Sequence, residues 1–246
     1  PNNPNSLSND YINSLYCDPQ GILWISTRGG VDTLDPKTGT FSCFKHDPLD
    51  PGSISSDYIF TISEERNGTL WIGTLDGLNR FSRETGTFTV YRYNPNPGSI
   101  NGVRSISIYE SGIIWIGTSD GLFKFHPRTG KFTAYKIKIE NPHQEFNAFT
   151  NSILALYWDR KHFLWVGTPV DGLQLFDPKT EQFYAYLNNL EDPSSLSNNS
   201  VLSIFEDRSG LIWIGTYGGG INKYDREKEK FTYYPCNIWG SRHPYN

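Results

Sequence analysis

Residues 211–216 read LIWIGT, and four earlier segments repeat this pattern: ILWIST at 22–27, TLWIGT at 69–74, IIWIGT at 113–118 and FLWVGT at 163–168. Their tryptophans are Trp24, Trp71, Trp115, Trp165 and Trp213, at spacings of 47, 44, 50 and 48 residues. A period of about 45 residues with a recurring tryptophan is typical of the four-stranded blades of a β-propeller. The pattern therefore predicts an all-β protein built from repeated blades.

Further apolar positions follow each tryptophan at fixed distances from a glycine. These glycines are Gly30, Gly77, Gly121, Gly172 and Gly220. Leucine, phenylalanine or tyrosine comes four residues later, and an aromatic residue comes eleven and fourteen residues later, in all five copies. Turn residues separate these positions into four short antiparallel strands per copy. We name them A, B, C and D in chain order, with the tryptophan in strand B.

The recurring glycine and tryptophan of the B strands are interpreted as structural. The glycine, at Gly73, Gly117, Gly167 and Gly215, lets one sheet pack closely on the next, and Ser26 replaces it in the first copy. Burial of a tryptophan removes about 150–250 Å² from water, which is worth roughly 4–6 kcal/mol. We therefore expect the five tryptophans to be core residues rather than ligand platforms. A small residue recurs in strand A, at Ser14, Thr61, Ser105, Ala155 and Ser203, where we expect crowding near the propeller axis.

The repeats predict one β-propeller segment over residues 1–234, with blades at about 6–44, 53–91, 99–135, 150–186 and 195–234. Residues 235–246 match no part of the repeat and are expected to form a C-terminal tail. Either the five blades close on their own, or they belong to a longer array. We favour the longer array, because no closing strand contributed by both termini is visible in the pattern.

Composition and motifs argue against several functions of this segment. The net charge of −4 has no basic run, which argues against nucleic acid as a direct partner. The five histidines share no spacing, and no catalytic or metal-ligand motif is present. Cys17 and Cys43 lie on the innermost and outermost strands of one predicted blade, about 14 Å apart. This distance is too long for a disulfide, so we expect buried free thiols. The sequence predicts no catalytic residue, no metal and no cofactor.

Residues 195–216, SLSNNSVLSIFEDRSGLIWIGT, closely resemble the two-component regulator propeller repeat. LWIGT at 70–74, GLNRF at 77–81 and TGTF at 85–88 resemble it too, and the resemblance extends over residues 6–234. Such repeats form the extracytoplasmic sensor region of hybrid two-component systems in Bacteroides-like gut bacteria. There they typically build two seven-bladed propellers, followed by a membrane helix and a cytoplasmic histidine kinase. The resemblance implies a longer, seven-bladed array in the periplasm, anchored by its inner-membrane parent, with a homodimeric parent as a further expectation.

The resemblance also implies a function. The segment would sense an oligosaccharide derived from a glycan and regulate transcription through a kinase that it does not contain, without being an enzyme itself. A protein-interaction scaffold is the alternative. A glycoside hydrolase or lyase is less favoured: the Asp-x-x-Gly-x-x-Trp turn is superficially similar to a sialidase Asp-box. The Asp-to-Gly spacing in this chain is, however, one residue longer than in the Asp-box, and the arginine cluster of such enzymes is missing.

One edge of the blades is the predicted binding surface. The D–A and B–C connections emerge on this edge and vary in sequence, with Asp76, Asp120 and Asp171 among the B–C residues. A glycan site needs aromatic platforms beside polar groups, and arginine suits an acidic sugar. The hypothetical ligand-binding residues are Tyr11, Arg28, Tyr58, Arg104 and Tyr217, with His143 in an irregular loop that could cover them.

Overall fold

The computed structural model describes residues 6–94, 96, 99, 101–109, 112–137 and 151–235. These residues form twenty strands in five four-stranded sheets, and in each sheet neighbouring strands follow chain order and are antiparallel. This architecture confirms the predicted all-β propeller class. Over the described residues, no helix combines the length and hydropathy needed to cross a bilayer.

The strands of the five sheets are short, between four and six residues each. Sheet 1 contains β1 (Ile12–Cys17), β2 (Leu23–Thr27), β3 (Val31–Asp35) and β4 (Thr40–Phe44). Sheet 2 contains β5 (Ile59–Glu64), β6 (Leu70–Thr74), β7 (Gly77–Ser82) and β8 (Thr87–Tyr91). Sheet 3 contains β9 (Val103–Ile108), β10 (Ile114–Thr118), β11 (Gly121–His126) and β12 (Lys131–Tyr135).

The two remaining sheets have the same order. Sheet 4 contains β13 (Ala155–Trp158), β14 (Leu164–Gly167), β15 (Leu173–Asp177) and β16 (Gln182–Tyr186). Sheet 5 contains β17 (Val201–Glu206), β18 (Ile212–Thr216), β19 (Ile221–Asp225) and β20 (Lys230–Tyr234). The strands therefore lie where the repeat predicts A, B, C and D.

The chain forms two compact units, Pro1–Tyr135 with sheets 1 to 3 and Lys136–Asn246 with sheets 4 and 5. In the first unit the A strands are neighbours, since β5 contacts both β1 and β9. In the second unit β13 contacts β17. A single propeller segment over 1–234 stays a prediction, and the predicted tail lies outside the described residues from Cys236 onward.

Tryptophans of the B strands form the core between adjacent sheets. Trp24 lies edge-on against Phe81 of sheet 2, with 5.2 Å between ring centroids. Trp71 packs in the same way on Phe125 of sheet 3, and Trp165 on Tyr224 of sheet 5. The tryptophan of strand B thus packs on the aromatic residue of strand C in the following sheet, which explains why both recur at fixed spacing.

The B-strand glycine lies where two sheets come closest. A Cβ atom at Gly73 would lie 2.5 Å from the carbonyl oxygen of Val103 in sheet 3. At Gly167 it would lie 2.8 Å from Cγ1 of Val201 in sheet 5. Any side chain here would force the sheets apart, because contacts this short do not occur for real Cβ atoms.

The small residue of strand A has a local cause that the sequence analysis missed. It lies directly opposite the B-strand glycine, as Thr61 lies opposite Gly73. In sheet 1, where Ser26 replaces glycine, Ser14 is its partner and donates a 2.8 Å hydrogen bond to it. Cys17 and Cys43 are free and exposed, so the expectation of buried thiols was wrong: both side chains lie on the solvent side of edge strands.

Candidate ligand-binding edge

The four-stranded sheets have two different edges. The A–B and C–D turns emerge at one end of the strands, which we call the A–B edge. The B–C turns and D–A connections emerge at the opposite end, which we call the B–C edge. Antiparallel order separates the two edges by the length of a strand, about 17 Å. Each edge carries its own set of side-chain contacts.

At the A–B edge, the first carboxylate of the A–B turn organises the turn and holds the tryptophan. Asp18 accepts hydrogen bonds from the backbone N–H of Ile22 at 2.9 Å and from the indole Nε1 of Trp24 at 3.0 Å. The same indole bond recurs as Trp71 to Glu65, Trp165 to Asp159 and Trp213 to Asp207. The Asp-x-x-Gly-x-x-Trp pattern is therefore a turn cap with a structural role.

An arginine from the next sheet completes this arrangement twice. Arg83 lies 5.5 Å from the ring of Trp24 and forms ion pairs with Asp18 at 2.9 Å and Glu64 at 3.0 Å. Arg226 repeats the arrangement in the second unit, 5.7 Å from the ring of Trp165 and 2.7 Å from Asp159. These guanidinium groups are neutralised within the protein and link two sheets.

Titration of the turn carboxylates follows from these contacts. Burial opposes ionisation of Asp18, but hydrogen bonds from Trp24, Ile22 and Arg83 hold its pKa below the usual value. Hydrogen bonds from Ser209 and Trp213 lower the pKa of the half-buried Asp207 to about 2. The carboxylates therefore stay ionised through the neutral range, where they cap their turns.

A polar latch braces the D–A connections at the B–C edge. Ser55 donates its backbone N–H to Asn79 Oδ1 at 3.0 Å, and its hydroxyl lies 2.8 Å from that of Thr74. Ser197 makes the equivalent contacts with Asn222 and Thr216. Ser8 makes them with Asp32 and Thr27. The Ser-Leu-Ser form of the repeat thus fixes the approach to each A strand.

Three of the predicted ligand-binding residues meet at this braced edge. Arg28 follows β2 in the B–C turn of sheet 1, while Tyr11 and Tyr58 precede the A strands of sheets 1 and 2. The guanidinium carbon of Arg28 lies 4.4 Å from the ring centroid of Tyr11 and 5.2 Å from that of Tyr58. Tyr11 is 63% exposed. The sequence therefore identified residues that the fold brings into contact.

Phe60 extends the group, although the sequence analysis did not single it out. Its ring centroid lies 4.8 Å from that of Tyr58 and 5.0 Å from the guanidinium of Arg104 on β9. Residues 58 and 60 share one face of the extended chain, so period-two alternation was the signal that could have found it. We call Tyr11, Arg28, Tyr58, Phe60 and Arg104 the arginine–aromatic cluster. It spans the A strands of all three sheets of the first unit.

The other predicted residues lie elsewhere. Tyr217 occupies the B–C turn of sheet 5, in the second unit, and is 72% exposed. His143 lies outside the described residues. Among the B–C turn carboxylates, Asp76 is paired with Arg92 at 2.7 Å and Asp120 accepts a 3.2 Å bond from Tyr93. Burial raises the pKa of Asp171.

A separate open groove of about 510 Å³ lies between sheets 1 and 2. It is lined by Trp24, Phe44, Phe81 and Arg83 together with the hydroxyl groups of strands β3 and β4. None of its lining residues belongs to the arginine–aromatic cluster. The cluster is therefore separate from this groove; Tyr11 and Arg28 are exposed, whereas Tyr58, Phe60 and Arg104 are half-buried.

The cluster offers aromatic rings, two phenolic hydroxyls and two guanidinium groups. None of its five residues is a carboxylate, a histidine, a cysteine or a serine, the residue types that most often act as catalytic bases or nucleophiles. Among the described residues, no group of three or more His, Cys, Asp or Glu side chains gathers as metal ligands would. The arrangement suits a polar ligand that packs on rings and accepts hydrogen bonds.

Comparison with known proteins agrees with this fold. The two-component regulator propeller repeat matches residues 6–29, 53–76, 148–169 and 195–218. Tyr109 takes the place of the turn carboxylate in the third copy, which is not among the matched segments. The fold is of the β-propeller class, and four of the five repeats match the two-component regulator propeller. A search of curated proteins gives no match to the sequence.

Solved structures with the same fold include two sensor proteins from B. thetaiotaomicron. The extracellular domain of the putative hybrid two component system BT3049 is 26% identical, with a TM-score of 0.75 over 94% of this chain and 29% of that chain. The extracellular domain of BT4673, described as a putative one component system, is 25% identical, with a TM-score of 0.73 over 91% of this chain and 27% of that chain. The chain thus spans less than a third of these proteins.

An enzyme shares the fold as well. Virginiamycin B lyase from Staphylococcus aureus has a TM-score of 0.67 over 92% of this chain and 70% of that chain. Its sequence identity is 13%, so the likeness concerns the fold alone. The chain resembles the sensor propellers of two-component systems.

Proposed function

We propose that the chain is part of the extracytoplasmic sensor region of a hybrid two-component protein and that it binds an oligosaccharide through the arginine–aromatic cluster. The family of its repeats and the two B. thetaiotaomicron extracellular domains support the sensor role. The single observation that carries the ligand-binding role is the contact of Arg28 with both Tyr11 and Tyr58. Exposed aromatic faces beside unpaired donors are what a sugar ring and its hydroxyls require.

The braced B–C edge supports this proposal energetically. The Ser-Asn-Thr latch fixes the connection before Tyr58, so that a ligand would meet a surface that is already ordered. Preorganisation lowers the entropy lost on binding, about 0.5–1.5 kcal/mol for each side chain that needs no further ordering. A protein whose output depends on a small ligand benefits from such a rigid receptor surface.

Isothermal titration calorimetry of the full 246-residue chain against a panel of plant, host and microbial oligosaccharides tests the proposal. We expect saturable binding of at least one oligosaccharide, and a loss of roughly 10-fold or more in affinity for Tyr58→Ala. Arg128→Ala, an exposed arginine in a C–D turn of the same unit, is the control and should bind as the wild type does. Equal affinity of Tyr58→Ala and wild type would place the site elsewhere, with Tyr217 and His143 as the next residues to vary.

The parent protein is part of the same proposal. We expect it to be anchored in the inner membrane, to place this segment in the periplasm, to act as a homodimer and to pass the signal to a histidine kinase outside this chain. Ligand-dependent autophosphorylation of the full-length parent in membrane vesicles is the measurement. A parent that lacks a kinase, or whose phosphorylation ignores an oligosaccharide bound to this segment, would contradict it.

A protein-interaction scaffold is the second candidate, and one observation favours it. Sheet 5 exposes a set of large apolar and aromatic side chains: Leu202, Phe205, Ile221, Tyr233 and Tyr234. Exposed apolar surface of this kind is typical of protein interfaces. Sedimentation equilibrium distinguishes the candidates: concentration-dependent association that Phe205→Ser abolishes, together with no oligosaccharide binding, would favour the scaffold.

A further inference from the structure

Arg28 differs from Arg83 and Arg92 of the first unit, which form ion pairs with carboxylates. Arg83 pairs with Asp18 and Glu64, and Arg92 pairs with Asp76. No carboxylate of the described residues forms an ion pair with Arg28, although its guanidinium lies against two tyrosine rings. Its charge is therefore not neutralised within the described part of the protein.

Carboxylates near the cluster are engaged by other groups. Asp57, next to Tyr58 in sequence, accepts the backbone N–H of His46 at 2.6 Å. Asp32 accepts the backbone N–H and the hydroxyl of Ser8. Asp10, next to Tyr11, forms no ion pair with Arg28. Arg28 is therefore a cation without an ion-pair partner among the described residues, on a protein whose net charge is −4.

A second guanidinium reinforces this charge. Arg104 lies 5.0 Å from the ring of Phe60, and its Nε approaches Ser119 Oγ at 3.4 Å, a long contact to a neutral group. Tyr58 and Phe60 lie between the two arginines and are in ring contact with each other. Guanidinium groups and aromatic rings therefore alternate across the A strands. A chain of sugar rings that carries acidic groups would match such an alternation, with rings on rings and anions on guanidinium groups.

We propose that the arginine–aromatic cluster is the subsite for an anionic sugar, held by its carboxylate or sulfate group on Arg28 and by its ring on Tyr11 or Tyr58. The inference rests on the proposed oligosaccharide-binding function and names the ligand class. Arginine presents a planar fork of N–H donors that matches a carboxylate or sulfate in two parallel hydrogen bonds. Contact of the guanidinium with the tyrosine rings restricts its motion, which favours this geometry further.

The test compares charged and neutral forms of the same sugars by isothermal titration calorimetry of the full chain. The probes are trigalacturonate with its methyl ester, and 6′-sulfolactose with lactose. We expect an anionic member to bind roughly 10- to 100-fold more tightly than its neutral partner, as a charged hydrogen bond would give. Which pair shows the difference tells a carboxylate from a sulfate. Binding of the anionic member should also weaken as sodium chloride is raised.

Two variants connect the preference to Arg28. Arg28→Ala should remove most of the charge preference, and Arg28→Lys should recover only part of it, because an ammonium lacks the planar fork. Arg128→Ala should leave it unchanged. Neutral sugars that bind as tightly as anionic ones, or an anionic preference that survives in Arg28→Ala, would overturn this inference and leave the proposed function intact. Absence of binding to every oligosaccharide in both experiments would overturn the proposed function itself.

Discussion

Arg83 at the A–B edge and Arg28 at the B–C edge of the first unit both lie against aromatic rings. Arg83 lies on a buried tryptophan, and two carboxylates neutralise it. Arg28 lies on two tyrosines at the surface without such a partner. The comparison teaches that a guanidinium–ring contact stabilises a fold when the protein itself supplies the counter-charge. Where the counter-charge is missing, a ligand can supply it.

The largest expected effects on stability are at the A–B edge. The Arg226 side chain is 16% exposed and its partner Asp159 is 0% exposed. Arg226→Ala would leave this carboxylate buried without its ion-pair partner, so we expect the free energy of unfolding to fall by about 3 kcal/mol. Arg83 is 34% exposed, and solvent screening should reduce the cost of Arg83→Ala to about 2 kcal/mol. Urea unfolding measures both, with Arg128→Ala as the control. Losses below about 0.5 kcal/mol would show that the arginines do not link the sheets.

Substitution of the turn carboxylate sharpens the comparison within the A–B edge. Asp18→Asn removes a charge that accepts hydrogen bonds from Trp24, Ile22 and Arg83, and we expect a loss of about 1–2 kcal/mol. Asp207 forms no ion pair with an arginine among the described residues, so the effect of Asp207→Asn should be smaller. The urea midpoints of the two variants give the order. The reverse order would mean that the turn bonds, rather than the ion pair, carry the stability.

Acid should affect the turn caps in a defined range. The pKa of Asp207 is about 2 in the folded chain, against about 3.9 for an unfolded aspartate. Between these values the unfolded state binds more protons, so the stability contributed by Asp207 is fully present above about pH 4 and is lost as the pH falls toward 2. Circular dichroism of wild type and Asp207→Asn across this range measures it. If wild type and Asp207→Asn lose stability in parallel over this range, the loss does not come from protonation of Asp207.

The smallest effect on stability is expected at the B–C edge. Arg28→Ala removes exposed guanidinium–ring contacts, worth about 0.5–1 kcal/mol at such sites, and should change unfolding by no more than that. The same variant should lose ligand affinity, as described above. A destabilisation comparable to that of Arg83→Ala would break the comparison, because Arg28 would then be a structural residue.

The period of the tryptophans determined most of the fold. Tryptophan, glycine and C-strand aromatic recur at fixed spacings, because each pair of neighbouring sheets must be packed by the same set of contacts. Strand order then placed Tyr11, Arg28 and Tyr58 on one edge, since antiparallel connections alternate between the two ends of a sheet. The sequence thus sufficed for the class of fold and for part of the candidate site.

Only the tertiary structure decided which side chains meet across sheets. Arg83 and Asp18 are 65 positions apart. The repeat does not pair them in every copy, because Pro36, Pro127 and Pro178 take the position of Arg83 in three of the other four copies and only the fifth has an arginine there, Arg226. Arg104 joined the cluster only because β9 lies beside β5, and whether each guanidinium is ion-paired depended on which carboxylates lay within reach. Sequence periodicity sets the spacing along a strand. The distance between side chains of different sheets arises only when the sheets pack, and this distance separates the structural arginine from the one left free to bind.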